Sequence, residues 1–354
     1  MNAPFPIAHE TIGLADLSDS DTVSRIDRFV METGGSPFHR PLWLRAVERG
    51  TGQCAMGLLA EYCGDIVGWL PLTEVHSPLF PRALVSSGFG VSGGPLATRT
   101  DVAYRLCEAA AELAVRRSCA SVELRGGAVP LGWHIRVDSH ANFCAPLAHD
   151  DDAQLLAIPR KQRAEIRKGL QQNLTVSFGR DEWHRAAHYA VYAESVRNLG
   201  TPVFPRSLFD AVLNAFGDDA DILVVSQDGV SQSAVLTLYH NGVAMPYWGG
   251  GIWDARRTRS NEVMYYRLMC HARERGCTQF DFGRSKVGSG AFAYKKNWGF
   301  AAEPLDYGSW TANGATARDV DPTSTAYSSK IALWKKLPLA VSNRLGPIIA
   351  RGLA

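Results

Sequence analysis

Apolar residues recur at helical spacing in one stretch and alternate in the next, and the chain does this twice. Val102, Leu106, Ala109 and Leu113 mark one face of a helix, and the strand-like Ser121-Val122-Glu123-Leu124 follows. Tyr265, Leu268, Met269 and Ala272 mark a second helix, and Gln279-Phe280-Asp281-Phe282 follows. The two segments align with Cys119 over Cys277 and Glu123 over Asp281. Upstream of each lies a predicted hairpin. Gly64-Asp65 separates residues 56–62 from 66–72, and Asp228-Gly229 separates 222–225 from 234–239. Each hairpin leads into a strand ending in glycines, 84–90 with Gly93-Gly94, then 245–251. The order helix, helix, strand, strand, strand, helix, strand therefore occurs twice. A period as long as a domain predicts a duplicated domain rather than a solenoid. Runs of strands with a few long helices predict an α+β (mixed α/β) fold with a sheet in each half. The junction falls near 148–157, giving halves 1–150 and 151–319. Residues 311–329 read as a connecting loop. A last helix near Ile331-Ala332-Leu333-Trp334, in the segment 320–354, is expected to return onto the first half.

Composition narrows the functional classes. At about 100–200 residues per domain, 354 residues fit two domains. The 37 Lys and Arg against 35 Asp and Glu leave a net charge of +2, which excludes a globally basic nucleic-acid coat and a strongly acidic disordered chain. DNA is therefore not an expected partner, and any anion must be held by local charge. Cysteines 54, 63, 107, 119, 144, 270 and 277 form no CxxC pair and are read as reduced, mostly buried thiols in a cytoplasmic protein. The opening Met1-Asn2-Ala3-Pro4-Phe5-Pro6 has no basic or apolar region of a secretory signal. No stretch reaches the ~20 apolar residues that span a bilayer. The tail from Trp334, apolar with scattered Lys and Arg, could touch the inner face of the cytoplasmic membrane, although packing on the body is the plainer expectation.

Three motifs match a pattern without its context. Gly88-Phe89-Gly90-Val91-Ser92-Gly93 fits GxGxxG, and Gly90-Val91-Ser92-Gly93-Gly94 fits GxSxG. Both chemistries need a helix to open at once, and Pro95 delays it to about Thr100. His184 and His188 have a metal-binding spacing, but Arg185 stands where HExxH needs Glu, so no metal is expected and a surface or interface pair is the simpler reading.

Three other segments carry more chemistry. In residues 160–168 (Arg-Lys-Gln-Arg-Ala-Glu-Ile-Arg-Lys), Arg160, Arg163 and Arg167 share a helical stripe with Lys161 and Lys168 beside it, opposed by Glu165 alone. This is either a solvated face or a contact for an anion. Arg256, Arg257 and Arg259 precede a helix with Ser260 as the expected N-cap, a natural phosphate cradle. Asp281-Phe282-Gly283-Arg284-Ser285-Lys286 ends a strand. It is followed by Gly288-Ser289-Gly290 and by a short helix presenting Tyr294 and Lys295 ahead of Trp298 and Phe300. Lys295 could stabilise the oxyanion of an acyl-transfer intermediate, or it could be solvated beside a core built on Trp298 and Phe300.

The segment 281–288, the run Tyr294-Lys295-Lys296-Asn297-Trp298-Gly299-Phe300 and the basic helix resemble the FemAB family, and more narrowly its branch associated with the PEP-CTERM/exosortase system. Ser36-Pro37-Phe38-His39-Arg40-Pro41-Leu42-Trp43-Leu44, Trp334-Lys335-Lys336-Leu337-Pro338-Leu339 and Asn343-Arg344-Leu345-Gly346-Pro347 resemble that branch too. The resemblance implies two tandem GNAT-like (acyl-CoA N-acyltransferase-like) domains, agreeing with the repeat. It implies transfer of an aminoacyl or acyl group to an amine, with aminoacyl-tRNA or acyl-CoA as co-substrate and no tightly bound cofactor. Lys295 matches the family's lysine and Tyr294 its preceding Phe. Arg163, Arg167 and Lys168 are implied acceptor-phosphate contacts, and His39 and Arg40 fall at the acceptor cleft. Arg256, Arg257 and Arg259 stand where GNAT proteins hold the donor pyrophosphate, but Arg259 and Asn261 replace the usual glycines. The long helical hairpin of some staphylococcal relatives, which bears on tRNA as donor, is not visible. The acceptor is expected to be a small-molecule, nucleotide-linked or lipid-linked precursor of the cell envelope or of an exopolysaccharide. In this reading Lys295 steadies the oxyanion, the amine proton goes to the substrate or to Asp281 through water because no His–Asp pair is evident, and Arg284 and the basic helix orient anionic groups. A non-catalytic scaffold of polysaccharide assembly and an acyl-CoA-dependent N-acyltransferase are the competing expectations.

Overall fold

The computed structural model describes residues 10–316, 318 and 325–353. The first half opens with β1 (Thr11–Leu14), then α1 (Ser20–Glu32), capped by Asp19 accepting from the Thr22 amide at 2.9 Å, and α2 (Pro41–Thr51). Strands β2 (Cys54–Tyr62), β3 (Asp65–Ser77), β4 (Phe80–Ser86) and the short β5 (Leu96–Ala97) lead to α3 (Thr100–Arg116) and β6 (Ser121–Arg125). Next come β7 (His134–Asn142), β8 (Cys144–Pro146), α4 (Asp151–Ala157), α5 (Arg160–Leu170) and β9 (Thr175–Gly179). The second half repeats the first with α6 (Glu182–Leu199), α7 (Arg206–Phe216), β10 (Ala220–Gln227), β11 (Val230–His240), β12 (Val243–Gly251), a short α8 (Ala255–Thr258), α9 (Ser260–Glu274) and β13 (Gln279–Asp281). Finally β14 (Ser285–Lys286), α10 (Gly290–Asn297), β15 (Glu303–Thr311), α11 (Thr325–Trp334) and α12 (Leu339–Ala350) close the chain.

The duplication is visible in detail. In each half a long helix returns the chain to a strand parallel to the glycine-ended one: β4 with β6, and β12 with β13. Each helix is closed by a left-handed residue, Ser118 (φ 54°) or Gly276 (φ 84°). The amide of the following cysteine then bonds back, Cys119 to Ala114 and Cys277 to Ala272. Hairpin turns use paired positive φ, as the twist of flanking strands requires: Asp228-Gly229 (48°, 79°) and Cys63-Gly64 (53°, 88°). The first turn therefore lies one residue earlier than the Gly64-Asp65 expected from sequence. The predicted loop at 311–329 is shorter on both sides, because β15 runs to Thr311 and α11 starts at Thr325. Residues 317 and 319–324 lie outside the described residues.

The sheets exchange strands. One runs β1-β2-β3-β4-β6-β15-β7-β14 with β5 on β3, and the other β8-β13-β12-β11-β10-β9. Strand β15, from the end of the second copy, is inserted between β6 and β7 of the first, and β8 pairs with β13 of the second. A continuous apolar core joins the halves where α2 meets α7: Phe38, Trp43 and Val47 pack with Leu208, Phe209 and Trp248. Gly50 lies so close to the Leu208 backbone that a Cβ would come within 2.5 Å of its Cα. The C-terminal helices touch both halves. Gln53 donates to the Arg351 carbonyl at 2.9 Å, and Arg197 of α6 donates to the Lys335 carbonyl at 3.2 Å.

Candidate active site

Strand β13 ends in a turn that organises the site. Asp281 accepts the Gly283 amide at 2.7 Å, and Gly283 takes φ 69°. This left-handed turn directs the Gly283 and Arg284 carbonyls to one point. Lys295 Nζ occupies that point, donating at 2.8 and 3.0 Å. Lys295 is positioned by α10, whose N-cap Ser289 accepts from the Phe292 amide at 3.2 Å, while Trp298 and Phe300 just beyond the helix are buried. An ammonium group has three N–H donors. Two are spent on the turn, and the third has no hydrogen-bond partner among the described residues. The Phe143 ring lies 5.6 Å from Nζ. Burial, reinforced by Arg284 and opposed by Asp281, lowers the Lys295 pKa to about 8. The group is thus still protonated at neutral pH but poorly solvated, a state that favours an interaction with new negative charge. Burial raises the Asp281 pKa, opposed by hydrogen bonds from Gly283 and Asn142 and by Lys295.

A second cation lies beside the first. Arg284 Nη1 donates to the Tyr307 hydroxyl at 3.2 Å, and Tyr307 donates to the Val91 carbonyl at 3.1 Å. Tyr307 on β15 faces Arg125 of β6 in register. Arg125 in turn binds the carbonyls of Ser87 and Gly90. The glycine-rich stretch 88–94, which holds both the GxGxxG and the GxSxG match, is therefore pinned. Its carbonyls accept from Trp43, Arg125 and His39 of the first half, and from Tyr247 and Tyr307 of the second. Burial, with help from Arg284, lowers the Arg125 pKa to about 10. Arg284 is thus the middle cation of the three: its charge lowers the pKa of both Lys295 and Arg125.

Sequence reasoning missed Arg125, Tyr307 and Tyr247. The repeat held a signal for Arg125: Glu123-Leu124-Arg125-Gly126 aligns with Asp281-Phe282-Gly283-Arg284, with arginine and left-handed glycine exchanged (Gly126 φ 81°). Nothing local in the sequence marks Tyr307, because a strand insertion brings it there.

The other residues predicted for the site fall in separate places. Tyr294 packs 6.1 Å from Tyr265 and 6.2 Å from Trp298 (ring centroids), and burial raises its hydroxyl pKa well above normal, with Glu262 adding to the shift. Arg163 of α5 donates to the Leu156 carbonyl at 3.0 Å, whereas Arg167 is exposed. Lys168 pairs with Glu165 at 2.7 Å, and the same carboxylate holds Arg259. The basic helix and the arginine turn thus meet through one shared acid. Arg257 pairs with Asp254 at 2.7 Å and Arg256 lies 4.3 Å over the Trp253 ring. Arg259, at φ 59°, precedes α9. Ser260 is not the N-cap as expected: it lies inside the helix, buried, with its hydroxyl on Ser233.

His39 is buried, with Nε2 3.0 Å from the Gly94 carbonyl and Nδ1 accepting from the Ser36 amide at 3.0 Å. Burial lowers its pKa to about 4. Arg40 makes a two-pronged pair with Asp27 at 2.9 and 3.0 Å and reaches Asp219 at 3.4 Å, tying the halves together. His184 and His188 are buried on α6, not exposed as expected. His184 bonds Asp181 and Ser177 at 2.9 and 2.8 Å, and His188 bonds the Trp248 carbonyl at 2.7 Å. Among the described residues three His–Asp pairs do exist, His149–Asp150, His184–Asp181 and His271–Asp221, but none includes a residue of the Lys295 cluster. Among the described residues, no three His, Cys, Asp or Glu are grouped to hold a metal ion, and no helix is long and apolar enough to cross a membrane.

Residues 160–296 match the acetyltransferase (GNAT) domain family. The fold as a whole is a mixed α/β, GNAT-like one, similar to tandem GNAT proteins. Among solved structures, FemX superposes with a TM-score of 0.64 at 16% identity, covering 80% of this chain and 95% of that one. A tandem GNAT protein from the clavulanic acid biosynthesis pathway gives 0.56 at 12% identity, covering 87% and 100%. The C-terminal domain of a putative lysylphosphatidylglycerol synthetase from Agrobacterium fabrum gives 0.55 at 16% identity, covering 82% and 92%. Among curated proteins, none matches the sequence.

Proposed function

We propose that the protein is an N-acyl or aminoacyl transferase whose reaction centre lies at the seam of two duplicated halves, 1–150 and 151–319. The carrying observation is Lys295, held by two carbonyls of the Asp281–Arg284 turn with one N–H left over. The acceptor amine attacks the carbonyl carbon of an ester or thioester. The C–N bond forms as the carbonyl π pair moves to oxygen, and the free Lys295 N–H meets that oxyanion. Collapse expels the alkoxide or thiolate, and the amine proton passes through water to Asp281, whose carboxylate is made a stronger base by burial. Arg284 and Arg125 hold an anionic group of the acceptor. The sequence resemblance points to a cell-envelope or exopolysaccharide precursor, nucleotide-linked or lipid-linked, as in the exosortase-associated branch.

A second reading differs in the donor. The three arginines around the start of α9 occupy the phosphate position of acyl-CoA enzymes, which favours acyl-CoA. Against it, Arg257 and Arg259 are already paired with Asp254 and Glu165. Titrating acyl-CoA and aminoacyl-tRNA into the protein by calorimetry separates the donors. A donor that binds and yields product by mass spectrometry supports transfer; tight binding of an acceptor with no product from either donor supports the scaffold instead.

A further inference from the structure

Helix α12 is packed inside out for a helix on a protein surface. The face against the body carries its small residues: Ser342, Gly346 and Ala350 are buried, four apart. Gly346 lies against Val203, where a Cβ would come within 3.0 Å of the backbone. The large apolar residues point outward. Val341, Leu345 and Ile348, at one-face spacing, are 40%, 43% and 61% exposed, and Leu333 at the end of α11 is 65% exposed. An amphipathic helix on a soluble body does the reverse and buries its large side chains. A contiguous apolar face left in water is costly unless something covers it.

The charge around this face is one-sided. Residues 325–353 contain Lys330, Lys335, Lys336, Arg344 and Arg351 and no Asp or Glu, although the whole chain carries only +2. Lys335, Lys336 and Arg344 are exposed. Apolar side chains flanked by cations, with no acid among them, complement a surface that is apolar inside and anionic at its rim. A bilayer with acidic lipids has that profile. A second copy of this chain does not, since a two-fold contact would bring two unbalanced basic segments together.

We infer that the outer face of α11–α12 docks the protein peripherally on an anionic membrane, with Leu333, Val341, Leu345 and Ile348 entering the interface and Lys335, Lys336 and Arg344 contacting headgroups. This stands independently of the transfer reaction. The test is flotation of the full-length protein with phosphatidylcholine vesicles, with and without phosphatidylglycerol. The protein is expected to float only with the anionic vesicles and to be released by salt. Lys335→Glu with Lys336→Glu, and separately Leu345→Gln with Ile348→Gln, should each weaken binding by about tenfold or more. These side chains are exposed, so unchanged circular dichroism is expected in both variants. Failure of the wild type to float with anionic vesicles overturns the inference, as does binding that neither variant weakens. Binding lost by charge reversal but kept by the glutamine pair also overturns it, because the face would then be only an electrostatic patch, of the kind an RNA would use. So does a dimer in sedimentation that the glutamine pair dissolves, since a second copy would then cover the face.

Discussion

Lys295 Nζ donates to the carbonyl oxygen of Gly283 at 2.8 Å, a contact that exists only because Gly283 adopts φ 69°. The placement of the Lys295 ammonium depends on this pairing, since a turn with ordinary φ would aim the carbonyl elsewhere. No atom lies within 4 Å of a Cβ built on Gly283, so a side chain there meets backbone strain and not a clash. Gly283→Ala should therefore cost about 1 kcal/mol, whereas Gly283→Asn, which tolerates the left-handed region, should cost less. Thermal melts should show a shift of a few degrees for Ala, and the transfer rate should fall more for Ala than for Asn. Equal melting and equal rates in both variants would contradict the role of the turn.

The pH profile follows from the lowered pKa of Lys295. The oxyanion partner must be protonated, so its contribution is complete below about 8 and is lost as pH rises through that value. The chemical rate should fall about tenfold per pH unit beyond it. Lys295→Arg, whose guanidinium stays charged throughout, should be slower at neutral pH but should lose the alkaline limb. A limb that stays at the same pH in the arginine variant belongs to another group.

Arg284 has a charge but, among the described residues, its side chain makes one hydrogen bond, to Tyr307. Arg284→Gln should leave the fold nearly as stable and weaken an anionic acceptor by about 10-fold to 100-fold, the worth of a charge-assisted hydrogen bond. Steady-state kinetics should place this in KM, with the maximal rate less affected. Arg125→Met should do the same and also lower the melting temperature, because Arg125 holds the Ser87 and Gly90 carbonyls. An unchanged KM in both would remove the arginines from the acceptor site.

Trp298 tests the support beneath the lysine. It is 2% exposed and packs against Tyr265 and Phe282 at 6.0 and 5.7 Å between ring centroids. Trp298→Ala should cost about 3–5 kcal/mol in denaturant unfolding and displace α10. A loss below about 1 kcal/mol would mean that α10 is anchored some other way.

Much of this was legible in the chain because local rules agreed with the fold. The helix-to-strand units ending at Ser121–Arg125 and Gln279–Asp281 showed in apolar periodicity, and the turn before Lys295 in its Asp-Phe-Gly-Arg spelling. What sequence could not give was non-local. Tyr307 reaches the site because β15 crosses into the other sheet, a pairing decided by packing and not by its neighbours in sequence. His184 and His188 looked like a surface or interface pair because spacing alone does not tell which side of α6 faces the core. The arginines of 256–259 read as a phosphate cradle because the acid that pairs with Arg259 comes from elsewhere: Glu165 lies on α5.

Single-turnover transfer by wild type and Lys295→Ala, with donor and acceptor binding measured on the same samples by calorimetry, reads the oxyanion role of Lys295 most directly. The structure predicts a rate lower by about 10²–10³-fold with binding nearly unchanged, since Lys295 spends its remaining N–H only when the oxyanion forms. Wild-type turnover in Lys295→Ala with both substrates bound would contradict it.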